Sequence, residues 1–165
     1  MVSANLYRGG VPPGYLEELL GELAPDVGAF QELTPAMGEV IGAHFAHGVM
    51  HPGDGAAGLG IGARRPIMAG ILGLPRPMRL VNVHLTHPMV FPPWRALPAR
   101  SRQLTAVINH VADHDAMVVG HLDVPPGWPA YRRLRRSMDD AAHLVAAAAG
   151  ARPQPTWSLR PQGRG

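Results

Sequence analysis

PDVGAFQEL, residues 25–33, is an apolar run of strand length that closes on Gln31 and Glu32. A carboxylate at the end of a buried strand is costly without a partner, so Glu32 is held by a helix cap or an arginine, or it binds something. Upstream, YLEELLGEL has apolar residues at helical spacing with proline before it, which predicts a helix over residues 13–23. Before that helix, MVSANLY reads as a short first strand. Strand, helix, strand in this order is the crossover connection of an α/β protein.

Downstream, TPAMGEVIGAHF opens with a threonine and proline start signal and predicts a second helix. From His47 to Leu85 the pattern changes to short apolar runs broken by Gly and Pro, among them AAGLGIGA, IMAGILGL and MRLVNVHL. These are expected to be antiparallel strands joined by hairpins. A proline-rich loop, HPMVFPPWRALP, leads to a helix at about residues 98–112, with Leu104, Val107, Ile108 and Val111 along one face. AMVVG is the next strand, WPAYRRLRRSM a basic helix, and DDAAHLVAAAAG a helical or turn segment. The polar, Pro/Gly-rich tail over residues 151–165 is expected to be extended or mobile.

Composition narrows the chemistry. At 165 residues the chain is expected to form a single domain. It has no cysteine, which removes disulfides, thiolate nucleophiles and cysteine-ligated metals. Any metal must be held by His, Asp, Glu, Asn or backbone oxygen. The net charge of +3, with 15 arginines and no lysine, is compatible with an anionic partner without identifying nucleic acid. The opening MVSANLYRGG has no basic, apolar leader pattern, and no window approaches a membrane span, so a cytoplasmic protein without membrane contact is expected.

All five glutamates lie within the first 39 positions, and Glu17, Glu18 and Glu22 fall on the polar face of the first helix. Asn5 sits between apolar neighbours of the first strand, where asparagine is disfavoured unless its amide is satisfied. His84 ends the strand LVNV as Glu32 ends its own. In VVGHLDVPPGWPAYRRL, residues 118–134, His121 follows a strand and Asp123 lies two residues on, a spacing that turns both side chains to one face of an extended chain. Polar residues at equivalent strand ends are informative together, because α/β sheets gather ligand sites there. His110 and His114 have the spacing of a helical metal pair, yet the helix ends near Asp113. His44, His47, His51, His87 and His143 read as loop or surface residues. Arg132, Arg133, Arg135 and Arg136 can meet phosphate or form a solvated face.

Taken in order, these segments resemble the endonuclease/exonuclease/phosphatase superfamily of deoxyribonuclease I-like phosphoesterases. SANLYRG is similar to the family's first strand with its asparagine, and PDVGAFQEL to its most specific motif, glutamine and glutamate after a strand. GIGARRPI, VNVHLTH, RSRQL and VVGHLDVPPGWPAYRRL follow in the family's order, as do MDDAA and PTWS. The resemblance implies a four-layer α/β/β/α sandwich of two mixed β-sheets flanked by helices. It also implies a divalent metal, Mg²⁺ or Mn²⁺, and hydrolysis of a phosphodiester or phosphomonoester, with nucleic acid or a nucleotide among the substrates. On that resemblance Asn5 and Glu32 hold the metal, His84 meets the phosphoryl oxygens, and His121 or Asp123 orients the attacking water. Arg64 matches the family's arginine position and is read as structural.

Two departures qualify the resemblance. Where the family has aspartate and then asparagine, this chain has His121 and Asp123. The histidine can serve as a base, as a ligand favouring manganese or zinc over magnesium, or as a mark of an impaired relative kept as a binding or assembly module. The sequence also ends where the family continues with further strands, a terminal histidine among their residues. A fold lacking these last strands is expected to expose a sheet edge and to form a homo-oligomer that covers it.

Overall fold

The computed structural model describes residues 1–66, 78–87 and 93–153, with side chains omitted at 93–95. It divides into two compact units, Met1–Val124 and Pro125–Gly165. The IMAGILGL run and the PTWS segment lie outside the described residues.

In the first unit, β1 (Val2–Asn5), a 3₁₀ turn (Tyr7–Gly9), α1 (Pro13–Leu23) and β2 (Val27–Gln31) form the crossover that the opening sequence predicts. β1 and β2 pair in parallel, with Asn5 opposite Gln31. α2 (Pro35–His44) follows, then β3 (His47–His51) and β4 (Leu59–Ala63), which pair antiparallel with each other. β4 also pairs antiparallel with β2, giving a mixed sheet in the order β1-β2-β4-β3. His47 and His51, expected in a loop or on the surface, lie exposed on this edge strand. His44, the last residue of α2, reaches across to α1, its Nε2 2.9 Å from the Leu20 carbonyl oxygen.

β5 (Arg79–His84), α3 (Pro93–Val111) and β6 (Ala116–His121) make a second crossover, and β5 pairs with β6 in parallel. The antiparallel hairpin expected for MRLVNVHL is thus corrected. An intervening helix supplies the long connection that parallel strands need. α3 also starts earlier than the sequence suggests, at Pro93, with Pro98 inside its second turn. Its course beside the second sheet is fixed at both ends of β5: Arg79 Nη1 donates to the His110 carbonyl at 3.2 Å, and the Thr86 amide donates to Gln103 Oε1 at 3.0 Å.

The resulting fold is an α/β sandwich of two sheets flanked by helices. The main core fills the helical side of the first sheet, where Leu16 and Leu20 of α1 and Met37 and Ile41 of α2 bury against Phe30, Leu6, Leu33 and Phe45. Strand alternation sends Phe30 to that side and Gln31 to the other. There Gln31 Nε2 donates to Asn82 Oδ1 at 2.7 Å, and Asn82 Nδ2 donates to the Phe30 and Gly60 carbonyls at 2.8 and 2.9 Å. The two sheets are therefore joined by a satisfied amide network rather than by apolar packing alone.

In the second unit, α4 (Pro129–Arg135) precedes α5 (Ala141–Ala148). Asp140 caps α5 by accepting from the amides of Ala142 and His143 at 2.9 and 3.3 Å. Tyr131 of α4 donates to the other Asp140 oxygen at 2.7 Å. No helix among the described residues is long and apolar enough to cross a membrane.

Candidate metal centre

Four strand ends build the site. Asn5 closes β1, Glu32 follows the last residue of β2, and His84 and His121 close β5 and β6 as partners on the same rung of the parallel ladder. That register stacks the two imidazoles, with centroids 5.3 Å apart and planes 14° from parallel. Gly120 permits the approach: its φ is +132°, and a Cβ there would fall 1.9 Å from the Val83 carbonyl oxygen. Asp123 reaches the group by a different route from the one its spacing suggests. β6 stops at His121, and the chain turns through a left-handed Asp123, φ +48°, which brings its Oδ1 to 3.0 Å from His121 Nε2.

The hydrogen bonds define which atoms carry protons. Tyr7 donates its amide hydrogen to Asn5 Oδ1 at 2.8 Å, which orients the Asn5 amide. Asn5 Nδ2 is then the donor toward Glu32 Oε1 at 3.0 Å and toward His121 Nδ1 at 2.6 Å. His121 Nδ1 must accept, so the proton of the neutral ring sits on Nε2, the nitrogen that lies 3.0 Å from Asp123 Oδ1. His84 Nδ1 lies 2.9 Å from the Ala56 carbonyl oxygen, which can only accept, so in the neutral ring the lone pair is on Nε2. That nitrogen faces Glu32 Oε1 at 3.6 Å.

Glu32 is the electrostatic centre of the group. Its side chain is only 10% exposed, its backbone is left-handed at φ +55°, and Oε2 is buried without a hydrogen-bond partner. Arg8 Nε stands 3.6 Å from that oxygen, on a side chain that is 69% exposed. Asp123 Oδ2 is likewise buried and unpartnered. One donor atom from each of Glu32, His84 and His121 lies within 4.8 Å of the others. A carboxylate and two imidazoles around an unsatisfied oxygen fit a divalent cation.

The five residues singled out in the sequence, Asn5, Glu32, His84, His121 and Asp123, thus meet at one place. His110 and His114 contribute nothing to it among the described contacts. Arg8, Ala56 and Arg100 are additions. Arg100 is buried on α3 and donates to the Thr86 carbonyl, to the Leu122 carbonyl at 3.0 Å and to the Asp123 carbonyl at 3.1 Å, clamping the turn that carries Asp123. Burial pulls its guanidinium below the usual range, while the Asp123 charge opposes that shift. Its position in RSRQL gave a family-like segment but no sign of this clamp.

A model of the endonuclease/exonuclease/phosphatase family matches residues 2–165. A solved structure, a functionally unknown conserved protein from Enterococcus faecalis, superposes with a TM-score of 0.56 at 15% sequence identity, covering 80% of this chain and 66% of that one. The chain therefore spans just under two thirds of that structure, and at this identity the likeness concerns the fold alone. No curated protein matches the sequence.

Proposed function

The chain belongs to the endonuclease/exonuclease/phosphatase family, and from that premise we propose that it hydrolyses a phosphoester bond with the help of a divalent cation bound at Glu32. Members of the family are generally hydrolases of phosphoester bonds and typically use divalent metals. The observation that carries the reading is the buried Oε2 of Glu32, without a hydrogen-bond partner, within a group of electron-pair donors at three strand ends. Phosphoryl transfer requires charge neutralisation and positioning more than a protein nucleophile, and this group is suited to both.

Glu32, His84 Nε2 and His121 Nδ1 would hold the cation. Once bound it supplies positive charge to the phosphoryl oxygens and acidity to water. The Ala56 carbonyl and Asp123 Oδ1 orient the two imidazoles, and Arg8 offers an accessible guanidinium to a phosphate oxygen. Water adds to phosphorus as the bond to the ester oxygen breaks, and the leaving oxygen gains a proton. The hydrogen-bond pattern favours His84 and His121 as ligands over the substrate-side roles that the family resemblance implies for them. Asn5 is favoured as a hydrogen-bond donor to the ligands.

The test is hydrolysis of bis-p-nitrophenyl phosphate with Mg²⁺, Mn²⁺ or Zn²⁺, comparing the parent with Glu32→Ala. Metal-dependent turnover that disappears in the variant supports the hydrolase. Absence of metal-dependent turnover in both overturns it and favours the second reading, a binding or assembly module. The replacement of an expected carboxylate by His121 is the observation on that side.

A further inference from the structure

We infer that the Glu32–His84–His121 centre takes a nitrogen-coordinating transition-metal dication of the zinc kind in preference to magnesium, and that Asp123 is the positioning residue that keeps His121 in its ligand form. The inference rests on the cation site proposed above but not on hydrolysis. Magnesium prefers a near-octahedral shell of oxygen and gives up its water reluctantly. Two imidazoles and one carboxylate with room for a further ligand are instead a donor set that zinc uses.

Three features of this chain converge on that choice. His84 Nε2 and Glu32 Oε1 face each other at 3.6 Å, and the Ala56 bond leaves no hydrogen on that nitrogen of the neutral ring to place between them. Two lone pairs so directed repel unless something positive serves both. Next, each imidazole turns its other ring nitrogen to a carbonyl or carboxylate oxygen, His84 Nδ1 2.9 Å from Ala56 and His121 Nε2 3.0 Å from Asp123. Ligating histidines are held in this way, which fixes the tautomer and raises the basicity of the coordinating nitrogen. Last, Glu32 is nine-tenths buried and brings an unpartnered oxygen to the same place.

Asn5 adds a competitive element. Its Nδ2 hydrogens already point at Glu32 Oε1 and His121 Nδ1. A cation and these hydrogens compete for the same lone pairs. Asp123 does not compete, because it touches the far nitrogen of His121.

The experiment titrates the full chain, stripped with a chelator, with Zn²⁺ by calorimetry and with Co²⁺ by visible absorption, each with and without millimolar Mg²⁺. Expected is one ion per chain, a Co²⁺ ligand-field band, and little displacement by Mg²⁺. His84→Ala and His121→Ala should each weaken Zn²⁺ binding at least tenfold, and Asp123→Asn by about 10-fold to 100-fold, as loss of such outer partners does. His121→Gln, checked by circular dichroism for an intact fold, separates lost ligation from lost structure. Zn²⁺ affinity unchanged in folded histidine variants, or Mg²⁺ displacing Zn²⁺ at comparable concentration, overturns the centre. Unchanged affinity in Asp123→Asn overturns the positioning role. Tight Zn²⁺ binding without phosphodiester hydrolysis upholds the centre and sinks only the hydrolase.

Discussion

Asn5 Nδ2 approaches His121 Nδ1 to 2.6 Å, linking the end of the first strand to the end of the last strand of the first unit. The same nitrogen donates to Glu32 Oε1, so Asn5 neutralises lone pairs that a cation also seeks. Asn5→Ala is expected to bind Zn²⁺ as well as the parent or up to about tenfold more tightly, the equivalent of one lost competing hydrogen bond. Calorimetry distinguishes this from Asn5 acting as a ligand, which requires weaker binding in the variant.

Glu32 has a left-handed backbone at φ +55° and a buried oxygen without a hydrogen bond, two costs carried by one residue. Glycine removes both. In the presence of a chelator, Glu32→Gly should be more stable than the parent by about 1 kcal/mol, the usual scale of left-handed strain in an L-residue. Metal-supported hydrolysis should be lost at the same time. A lower melting temperature for this variant would show that the Arg8 ion pair outweighs the strain.

Asn82 makes three hydrogen bonds at the interface of the two sheets, one of them received from Gln31. Asn82→Ala removes one acceptor of the Gln31 amide, which keeps Ser3 Oγ and the Ala29 carbonyl at 3.3 Å, and the side-chain donor to the Phe30 and Gly60 carbonyls. The expected loss is about 3 kcal/mol, roughly 1 for each of the three lost hydrogen bonds. Urea unfolding measures it, and a loss near zero would mean that water replaces the amide.

The Tyr131–Asp140 pair gives the second unit a pH signature. The Tyr131 hydroxyl is the main cause holding the Asp140 carboxyl below its ordinary range, with the α5 amides adding to it, and that same bond to Asp140 raises the Tyr131 hydroxyl above its own. The depressed carboxyl contributes stability that is present above its unfolded pKa and fades as pH falls through the lower folded value. The raised phenol contributes stability that is present below its unfolded pKa and fades as pH rises through the higher folded value. Protection factors for amide exchange at Ala142 and His143 should therefore be highest between these limits, and Tyr131→Phe should lower them, move the acid limit to higher pH and abolish the alkaline one. A variant with the parental exchange profile would remove the pair from the account of α5.

Elements with a clear period were legible in the sequence. α1 runs from Pro13 to Leu23, as the apolar spacing of YLEELLGEL requires, and β2 is the uninterrupted apolar strand that VGAF suggests. Pairing was not legible for β5, since nothing within RLVNVH distinguishes a parallel from an antiparallel neighbour and the answer lies in the helix that follows. α3 reads short in the sequence because Pro98 resembles a helix start, whereas it is the sixth residue of the helix, where its missing N–H removes one i to i−4 backbone bond. The five polar residues at strand ends stood out because each interrupts an apolar pattern. Asn82 carries the same signal in LVNV. Arg8 and Arg100 could not be found this way, because an arginine beside a loop or on a helix looks the same in sequence whether it is solvated or clamping a turn.

The convergence of β1, β2, β5 and β6 at one point also ties ligand binding to folding. Residues 32, 84 and 121 come from both sheets, so an unfolded chain offers no chelate, and any dication they accept acts as a clasp across the sandwich. By mass action, a concentration one hundred times the dissociation constant would add about 2.7 kcal/mol to the folded state. A cell's supply of the free ion would then set how long this chain survives as well as whether it works.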